Sequence, residues 1–127
     1  MSIKLKISKK TADELDFLSD ALNLRRNVIC RMAIGISLSD PKPPDISIED
    51  SSGQEFNKPT IMGTDESTFK ALISQHYGKK ISDEDFFSTY VRAEITRGVH
   101  MMFERYRRVN SQVQFFEELC TLGDEKA

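Results

Sequence analysis

Apolar and polar residues alternate at the start of the chain. Ile3, Leu5 and Ile7 occupy every second position, and Lys4 and Lys6 fill the positions between them. This two-residue period is typical of a strand with one face turned towards a core and the other towards solvent. The pattern therefore predicts an N-terminal strand with an exposed basic face.

The spacing of apolar residues then changes to three and four, which predicts an amphipathic helix that ends near Leu22. Ser8 or Thr11 can cap its start, and Thr11 together with Glu14 would form a capping box. Asn23 suits the left-handed residue that terminates a helix.

A second helix is predicted from about Arg26 to Leu38, and it is apolar nearly all round after its first turn. A helix of this kind must be covered on several sides. We therefore predict that it forms the centre of a subunit interface in a dimer or tetramer. The residues assigned to this interface are Val28, Ile29, Met32, Ala33 and Ile36.

Residues 39–63 are predicted to be an acidic, irregular connection, because Asp40-Pro-Lys-Pro-Pro breaks the helix at their start. A connection of this length is typical of an arm laid over a neighbour or of a mobile loop. Ile46–Ile48 is a candidate for a short edge strand. Asp50 and Glu55 could hold a divalent ion together, but a solvated acidic loop is expected.

The second half of the chain is predicted to be helical. Thr64 can cap a helix that ends at Gly78, and Ser82 can cap a longer helix of about 28 residues, or roughly 42 Å. Gly98 lies in the middle of that helix, which indicates a close helix–helix approach or a kink. A last helix is predicted to stop at Gly123.

Length and pattern together predict one mainly α-helical domain, because 127 residues suit a single core. Its parts are a ribbon-helix-helix-like unit of one short strand and two helices (1–38), the irregular connection (39–63), a helical part (64–123) and a frayed tail (124–127). No apolar run is long enough to span a membrane, and the basic N-terminus is not followed by the apolar region of a signal peptide. We therefore expect a cytoplasmic protein that makes no membrane contact.

Cys30 and Cys120 both lie inside apolar helical patterns. They are expected to be buried, reduced thiols, and the cysteine count excludes a disulfide framework and a zinc finger.

His76 and His100 have no histidine, cysteine or aspartate one helical turn away, so surface or half-buried histidines are expected. No phosphate loop, nucleophile elbow or metal-ligand cluster is present. We therefore predict that the protein is not an enzyme and needs no metal or cofactor.

Charge is unevenly distributed although the net charge is −2. Residues 1–38 and 70–110 each carry a net charge of +3, whereas residues 39–69 carry −5 and residues 111–127 carry −3. A basic face can therefore exist on an acidic protein.

The basic residues near the N-terminus indicate a DNA site. They lie on the predicted strand and at the starts of the two helices, as in a ribbon-helix-helix protein, where strands of two chains pair into a ribbon that enters the major groove. The residues assigned to DNA contact are Lys4, Lys6, Lys9, Lys10, Arg25, Arg26 and Arg31. A second basic set is expected to be a solvated face with ion pairs, with phosphate contact as the alternative. It comprises Lys79, Lys80, Arg92, Arg97, Arg105, Arg107 and Arg108.

Three segments occur in order along the chain. They are Leu22-Asn-Leu-Arg-Arg-Asn-Val-Ile-Cys-Arg-Met-Ala-Ile-Gly-Ile-Ser-Leu38, Gly53-Gln-Glu-Phe-Asn-Lys-Pro-Thr-Ile-Met-Gly63 and Ala93-Glu-Ile-Thr-Arg-Gly-Val99. Together they resemble the DNA sulfur modification protein DndE family. The chain departs from the family's pattern at Arg25-Arg26, where the family usually has Thr-Pro, and at Glu94, where it often has His. These changes make the start of the second helix more basic and allow Glu94 to pair with Arg97.

The resemblance implies a small subunit of the bacterial system that replaces a non-bridging phosphate oxygen of DNA with sulfur, while other subunits carry the sulfurtransferase and ATPase chemistry. It also implies a compact homo-oligomer that binds duplex DNA, including nicked duplex, through surface lysines. We expect a DNA-binding accessory or scaffold subunit without nickase activity. The alternatives are a ribbon-helix-helix transcriptional repressor and a protein–protein scaffold that does not contact DNA.

Overall fold

The computed structural model describes residues 4–47, 51–109 and 112–126 of the chain. The predictions for Ile3, Ile48 and Asp50 fall outside these residues. Within them the protein is mainly helical, with a two-stranded sheet near the N-terminus and a helical C-terminal half, which confirms the predicted fold class.

The N-terminal strand and the first two helices form where the pattern predicts them. Strand β1 covers Lys4–Lys6, helix α1 covers Lys9–Leu22 and helix α2 covers Arg26–Leu38. Ser8 caps α1, because its hydroxyl accepts a hydrogen bond from the backbone N–H of Thr11 at 3.1 Å. This bond satisfies one of the free donors at the start of the helix.

The predicted capping box of Thr11 and Glu14 is wrong, although Ser8 as a cap is confirmed. Both residues are buried, and the Glu14 carboxylate is paired with His100, not with the start of the helix. Asn23 ends α1 in the left-handed conformation (φ 56°, ψ 45°), as predicted.

Residues 39–63 contain more regular structure than predicted. Strand β2 covers Glu55–Asn57 and the short helix α3 covers Lys58–Met62. Phe56 is the only apolar residue between Ser51 and Lys58, so this segment shows no two-residue period such as the one around β1. The edge strand predicted at Ile46–Ile48 is not seen in its described residues, Ile46 and Ser47, which have no regular secondary structure.

Strand β2 pairs with β1 in antiparallel orientation. The partner of the N-terminal strand therefore comes from the same chain, whereas the ribbon-helix-helix layout takes it from a second chain. The prediction of a two-chain ribbon is wrong at this edge of β1.

Helix α4 covers Glu66–Tyr77, and its N-terminal cap is Asp65 where the sequence predicted Thr64. Gly78 ends the helix in the left-handed region (φ 67°), as predicted. At that backbone conformation glycine avoids the clash that a side chain would cause.

The long helix of the second half is continuous but not uniform. Ser82 caps the short helix α5 (Asp83–Asp85), as predicted, and accepts from the backbone N–H of Asp85 at 3.3 Å. The chain then runs through a π-helical segment (Phe86–Val91) directly into helix α6 (Arg92–Val109).

Helix α2 lies at the centre of the core and packs along α6, with further contacts to α1, α3 and α4. The two long helices meet at Gly98, where an added Cβ would lie 1.9 Å from the carbonyl oxygen of Ala33. No side chain fits at this distance, so the predicted close approach at Gly98 is confirmed. The apolar circumference of α2 is covered to a large extent by its own chain.

Helix α7 covers Gln112–Lys126 and continues past Gly123, where the sequence predicted its end. A glycine within a helix costs only about 1 kcal/mol relative to alanine, which neighbouring helix formers can outweigh. The helix packs on α6 through Phe115, which stacks edge-on against Tyr106 with ring centroids 5.5 Å apart. No helix in the described part of the chain is both long and apolar enough to cross a membrane.

The two cysteines lie in different surroundings. Cys30 is completely buried in α2, as predicted, and burial raises the pKa of its thiol to about 12. Cys120 is exposed on α7, which corrects the prediction that both thiols are buried. In the folded protein only Cys120 is therefore accessible to thiol reagents.

Candidate nucleic-acid interface

The two-stranded sheet turns one polar face to solvent. Leu5 and Phe56 lie opposite each other on the inner face and are buried. Because successive side chains of a strand point to opposite faces, their burial holds the neighbouring side chains outwards. The outward residues, all of them exposed, are Lys4, Lys6, Glu55 and Asn57.

The start of β2 is held against β1 by close backbone packing at Gly53. Its N–H donates to the carbonyl of Ile7 at 2.9 Å, and the N–H of Ile7 donates to the carbonyl of Gln54 at 3.1 Å. An added Cβ at Gly53 would lie 2.4 Å from the carbonyl oxygen of Ser8. Glycine is therefore required at this position for the sheet to form.

Helix α3 joins the sheet to the N-terminus of α2. It begins directly after Asn57, and the side-chain amide of Asn27 on α2 donates to the carbonyl of Thr60 at 3.4 Å. The Arg31 guanidinium lies beside Gly63, just after α3. Sheet, α3 and the first turns of α2 thus form one connected surface, which we call the outer basic face. It consists of Lys4, Lys6, Arg25, Arg26, Arg31, Glu55 and Asn57.

Ion pairs within the chain neutralise part of this charge. Lys4 lies 3.4 Å from a carboxylate oxygen of Glu55, and Arg26 lies 2.6 Å from one of Asp16. Within the described part of the chain, the remaining cationic residues of the face have no ion-pair partner. They are Lys6, Arg25 and Arg31.

Lys9 and Lys10 lie apart from the start of α2. Helix α1 has 14 residues, so its two ends are about 21 Å apart, and the two lysines are at the opposite end from Arg26. Lys9 is 3.5 Å from Asp13, and Lys10 lines a cleft together with Arg92. Lys9 and Lys10 therefore follow the strand closely in the sequence, but they do not lie beside the start of α2.

The residues predicted to form a subunit interface have different degrees of burial. Ile29 and Ala33 have no exposed surface in the single subunit, because α6 and the other helices cover them. Val28, Met32 and Ile36 are half-buried and are the members of the set that can meet a second copy.

The second basic set is largely engaged within the chain. Arg92 is buried and donates to the carbonyls of Ser88 and Ile46, and burial lowers the pKa of its guanidinium. Arg105 and Arg107 pair with Glu118 and Glu104. Lys79 lies 5.3 Å from the centre of the Tyr90 ring. Arg108 and Lys80 are exposed.

A buried polar cluster between α2, α4 and α6 was not predicted. Glu94 is completely buried and accepts from the Ser37 hydroxyl at 2.6 Å through one carboxylate oxygen. Its other oxygen lies 2.6 Å from Nδ1 of His76, whose Nε2 lies 2.6 Å from the carbonyl of Asp40. Both ring nitrogens thus lie within hydrogen-bond distance of an oxygen atom.

Arg97 completes this cluster. Its guanidinium donates to the hydroxyl and the carbonyl of Ser37, at 2.9 and 2.7 Å, and to the carbonyl of Lys42 at 2.6 Å. The predicted ion pair of Glu94 and Arg97 is not formed: the carboxylate nearest to Arg97 is that of Asp40, at 3.7 Å, and Glu94 and Arg97 share only the Ser37 hydroxyl as a partner. We call Ser37, His76, Glu94 and Arg97 the interior polar cluster, and it ties the chain after α2 to α4 and α6.

The cluster contains serine, histidine and glutamate but not in a catalytic order. In a hydrolytic triad the histidine lies between the serine and the acid, whereas here Glu94 lies between Ser37 and His76. His76 therefore cannot take a proton from Ser37. In addition, the Arg97 guanidinium donates a hydrogen bond to the Ser37 hydroxyl oxygen. The arrangement stabilises the fold and does not activate a nucleophile.

The other histidine, His100, is half-exposed and lies 2.8 Å from the buried carboxylate of Glu14. Across residues 4–47, 51–109 and 112–126, no group of three or more histidine, cysteine and acidic side chains is placed to hold a metal ion. Both histidines are partly buried residues, as predicted, although only 6% of the His76 side chain is exposed.

Comparison with known proteins relates the geometry to a family. The model of the family described as "DNA sulphur modification protein DndE" matches residues 4–110. The crystal structure of DndE from Escherichia coli B7A, involved in DNA phosphorothioation modification, has a similar fold, with a TM-score of 0.63 at 16% sequence identity. The alignment covers 76% of this chain and 93% of that chain. A search of curated proteins found no match.

Proposed function

From the premise that the chain belongs to the DndE family of DNA sulphur modification proteins, we propose that it is a DNA-binding accessory subunit of a phosphorothioation system. The family and its E. coli structure connect the chain to DNA phosphorothioation. In our proposal it works in the cytoplasm, holds duplex DNA, nicked duplex included, and meets other subunits of the system, which carry out the sulfur chemistry.

The observation that carries this proposal is the outer basic face. Lys6, Arg25 and Arg31 have no ion-pair partner among the described residues, so their charges are available to phosphates. Phosphate contacts release counterions, and this release supplies much of the affinity of DNA-binding proteins. Asn57 and the backbone at the start of α2 add hydrogen-bonding groups to the same face.

A binding role without catalysis is supported by the interior polar cluster, where each candidate group is held by a structural partner. Strand cleavage needs an activated nucleophile or a metal site. We expect that the purified protein does not nick supercoiled plasmid in the presence of Mg²⁺ or Mn²⁺. Nicking that disappears on substitution of a single carboxylate or histidine would contradict a purely binding role.

The proposal is tested by the salt dependence of DNA binding. Fluorescence anisotropy with nicked and intact duplexes should show log K falling linearly with log salt. Lys6→Ala with Arg25→Ala should reduce the slope by about two units per subunit and weaken all sequences alike. Arg107→Ala with Arg108→Ala is the matched control at the end of α6. An unchanged slope in the first variant and a reduced slope in the second would move the DNA site to α6.

We also propose that the protein assembles as a homo-oligomer. Val28, Met32 and Ile36 remain half-buried after the chain has folded, so a second copy can cover them. Met32→Asp should break the assembly, because it would place an unpaired charge in the interface. A wild-type protein that is monomeric by light scattering at micromolar concentration would contradict this part.

Two other functions differ in support. A ribbon-helix-helix repressor needs β1 to pair with β1 of a second chain, and here β1 pairs with β2 of the same chain.

A protein scaffold is favoured by Phe17, which is 42% exposed and stacks edge-on against Phe103 and Tyr106. Exposed aromatic residues are frequent anchors of protein interfaces. Loss of complex assembly in Phe17→Ala with unchanged DNA affinity would favour the scaffold.

A further inference from the structure

The β1–β2 ribbon has the dimensions of an element that fits the DNA major groove. Its two strands are paired over Lys4–Lys6 and Glu55–Asn57. Paired strands are about 4.8 Å apart, and the major groove is about 12 Å wide, so two strands and their outward side chains can enter it. In this chain one subunit supplies both strands of the ribbon.

The side chains on the outward face are of the chemical types that recognise base edges in DNA-binding proteins. Lys4 and Lys6 are donors that suit guanine O6 and N7, and Asn57 carries the amide that forms a bidentate pair with adenine N6 and N7. Glu55 is an acceptor that suits cytosine N4. The Lys4–Glu55 ion pair is exposed on both sides, at 52% and 39%, so it can separate at little cost when DNA approaches.

Asn57 has no side-chain partner among the described residues. It precedes helix α3 at the capping position, yet its side chain makes no capping hydrogen bond. Its backbone is fixed by pairing with Lys4 and by its buried neighbour Phe56. A salt bridge between Lys58 and Glu66, at 2.6 Å, holds the chain immediately after it. The amide is therefore free to bind while its position is held from both sides.

We propose that the ribbon enters the major groove and that Asn57 reads an adenine there, with Lys4 directly across from it and Lys6 two residues further along β1. This inference rests on the proposed function and deepens it, because it adds base recognition to phosphate contact. Each subunit carries a complete ribbon, so each subunit reads its own short site. The spacing of sites in an oligomer then follows the spacing of its subunits.

The test uses the full chain and a library of duplexes with a random central segment. Bound duplexes are enriched over several rounds, and affinities for the enriched site and its single-base variants are measured by anisotropy. Wild type should prefer adenine at one position by about tenfold. Asn57→Ala should reduce this preference to less than about twofold, with unchanged circular dichroism and an unchanged salt slope. Gln54→Ala, an exposed change just before β2, is the control and should keep the tenfold preference.

Each outcome decides a separate point. Wild type that binds duplex DNA without enriching any base would overturn base reading by the ribbon and leave the proposed DNA binding intact. Enrichment that Asn57→Ala retains, or an equal loss of affinity for all sequences in that variant, would overturn the role of Asn57. A protein that binds no duplex at any salt concentration would overturn the proposed function itself.

Discussion

The interior polar cluster and the outer basic face both consist of charged and hydrogen-bonding residues, but they differ in how fully those residues are partnered. In the cluster, each carboxylate oxygen of Glu94 and each ring nitrogen of His76 has a partner within 2.6 Å. On the face, Lys6, Arg25 and Arg31 have no ion-pair partner among the described residues.

The difference separates groups that stabilise the fold from groups that are available to a ligand. A buried polar group must be satisfied inside the protein, because water cannot reach it. An exposed group without a protein partner is hydrated by water, so it carries no desolvation penalty until a ligand binds. The sequence assigned Arg25 to DNA and Arg97 to a solvated face with ion pairs, but it did not show that Arg97 is held by the hydroxyl and carbonyl of Ser37 and the carbonyl of Lys42.

The largest effect is expected from breaking the interior polar cluster. Glu94→Leu leaves the buried Ser37 hydroxyl and His76 Nδ1 without their carboxylate partner and should lower the free energy of unfolding by about 3–5 kcal/mol. Glu104→Gln on the same helix removes an exposed partner of Arg107 at 3.5 Å and should change it by less than about 0.5 kcal/mol. Urea unfolding followed by circular dichroism measures both. Similar stability of the two variants would show that the cluster is not a structural unit.

A smaller but still large effect is expected where α2 and α6 meet. Gly98→Ala should cost about 3 kcal/mol, because its Cβ would overlap the backbone of Ala33. Gly35→Ala on α2 is the matched control: nothing lies within 4 Å of its added Cβ, and alanine favours the helix by about 1 kcal/mol. The thermal midpoint should therefore fall in the first variant and rise in the second. A stable Gly98→Ala protein would contradict the close approach.

Alkaline pH should lower the stability of the fold through ionisation of the Cys30 thiol. This thiol has an ordinary pKa of 9.0, and burial raises this to about 12 in the folded protein. The unfolded chain thus releases a proton that the folded chain keeps, so stability falls between about pH 9 and pH 12, by at most about 1.4 kcal/mol per pH unit. Burial also raises the pKa of Tyr77, which acts in the same direction. Thermal melts at pH 8 to 11 should show a shallower decline in Cys30→Ala, and an equal decline would contradict this origin.

The smallest effect is expected on the outer basic face. Arg26 and Asp16 are 2.6 Å apart, but both side chains are nearly half exposed. A double-mutant cycle with Arg26→Ala and Asp16→Ala should give a coupling of about 0.2–1 kcal/mol that decreases with salt. A coupling of several kcal/mol would show that this exposed pair stabilises the fold as strongly as the interior groups do.

Local signals predicted the elements whose causes are local. Alternation around Leu5, the left-handed Asn23 and the cap at Ser82 involve residues within a few positions of one another, and the structure confirms each of them. The close approach at Gly98 was also predictable, because a glycine inside a long helix needs a reason.

The rest depends on contacts between distant parts of the chain. Glu94 is 57 residues from Ser37 and 18 from His76, and no periodicity connects them. Strand β2 pairs with β1, which is distant in the sequence, and a single apolar residue, Phe56, gives its segment no periodic pattern. The motif containing Gly53 and Asn57 did mark this segment, but only the sheet shows that Gly53 serves packing while Asn57 faces outwards.

The pairing of β1 with β2 has a consequence for the order of events during synthesis. Lys4 and its partner Asn57 are more than 50 residues apart, so the first strand to leave the ribosome must wait for a segment made much later. At about 5–20 residues per second this delay is several seconds, during which the basic N-terminus has no sheet to hold it. Pairing across such a distance is also slow to form relative to local helices. A nascent or truncated chain that ends before residue 53 therefore carries most of the charge of the outer basic face without its shape.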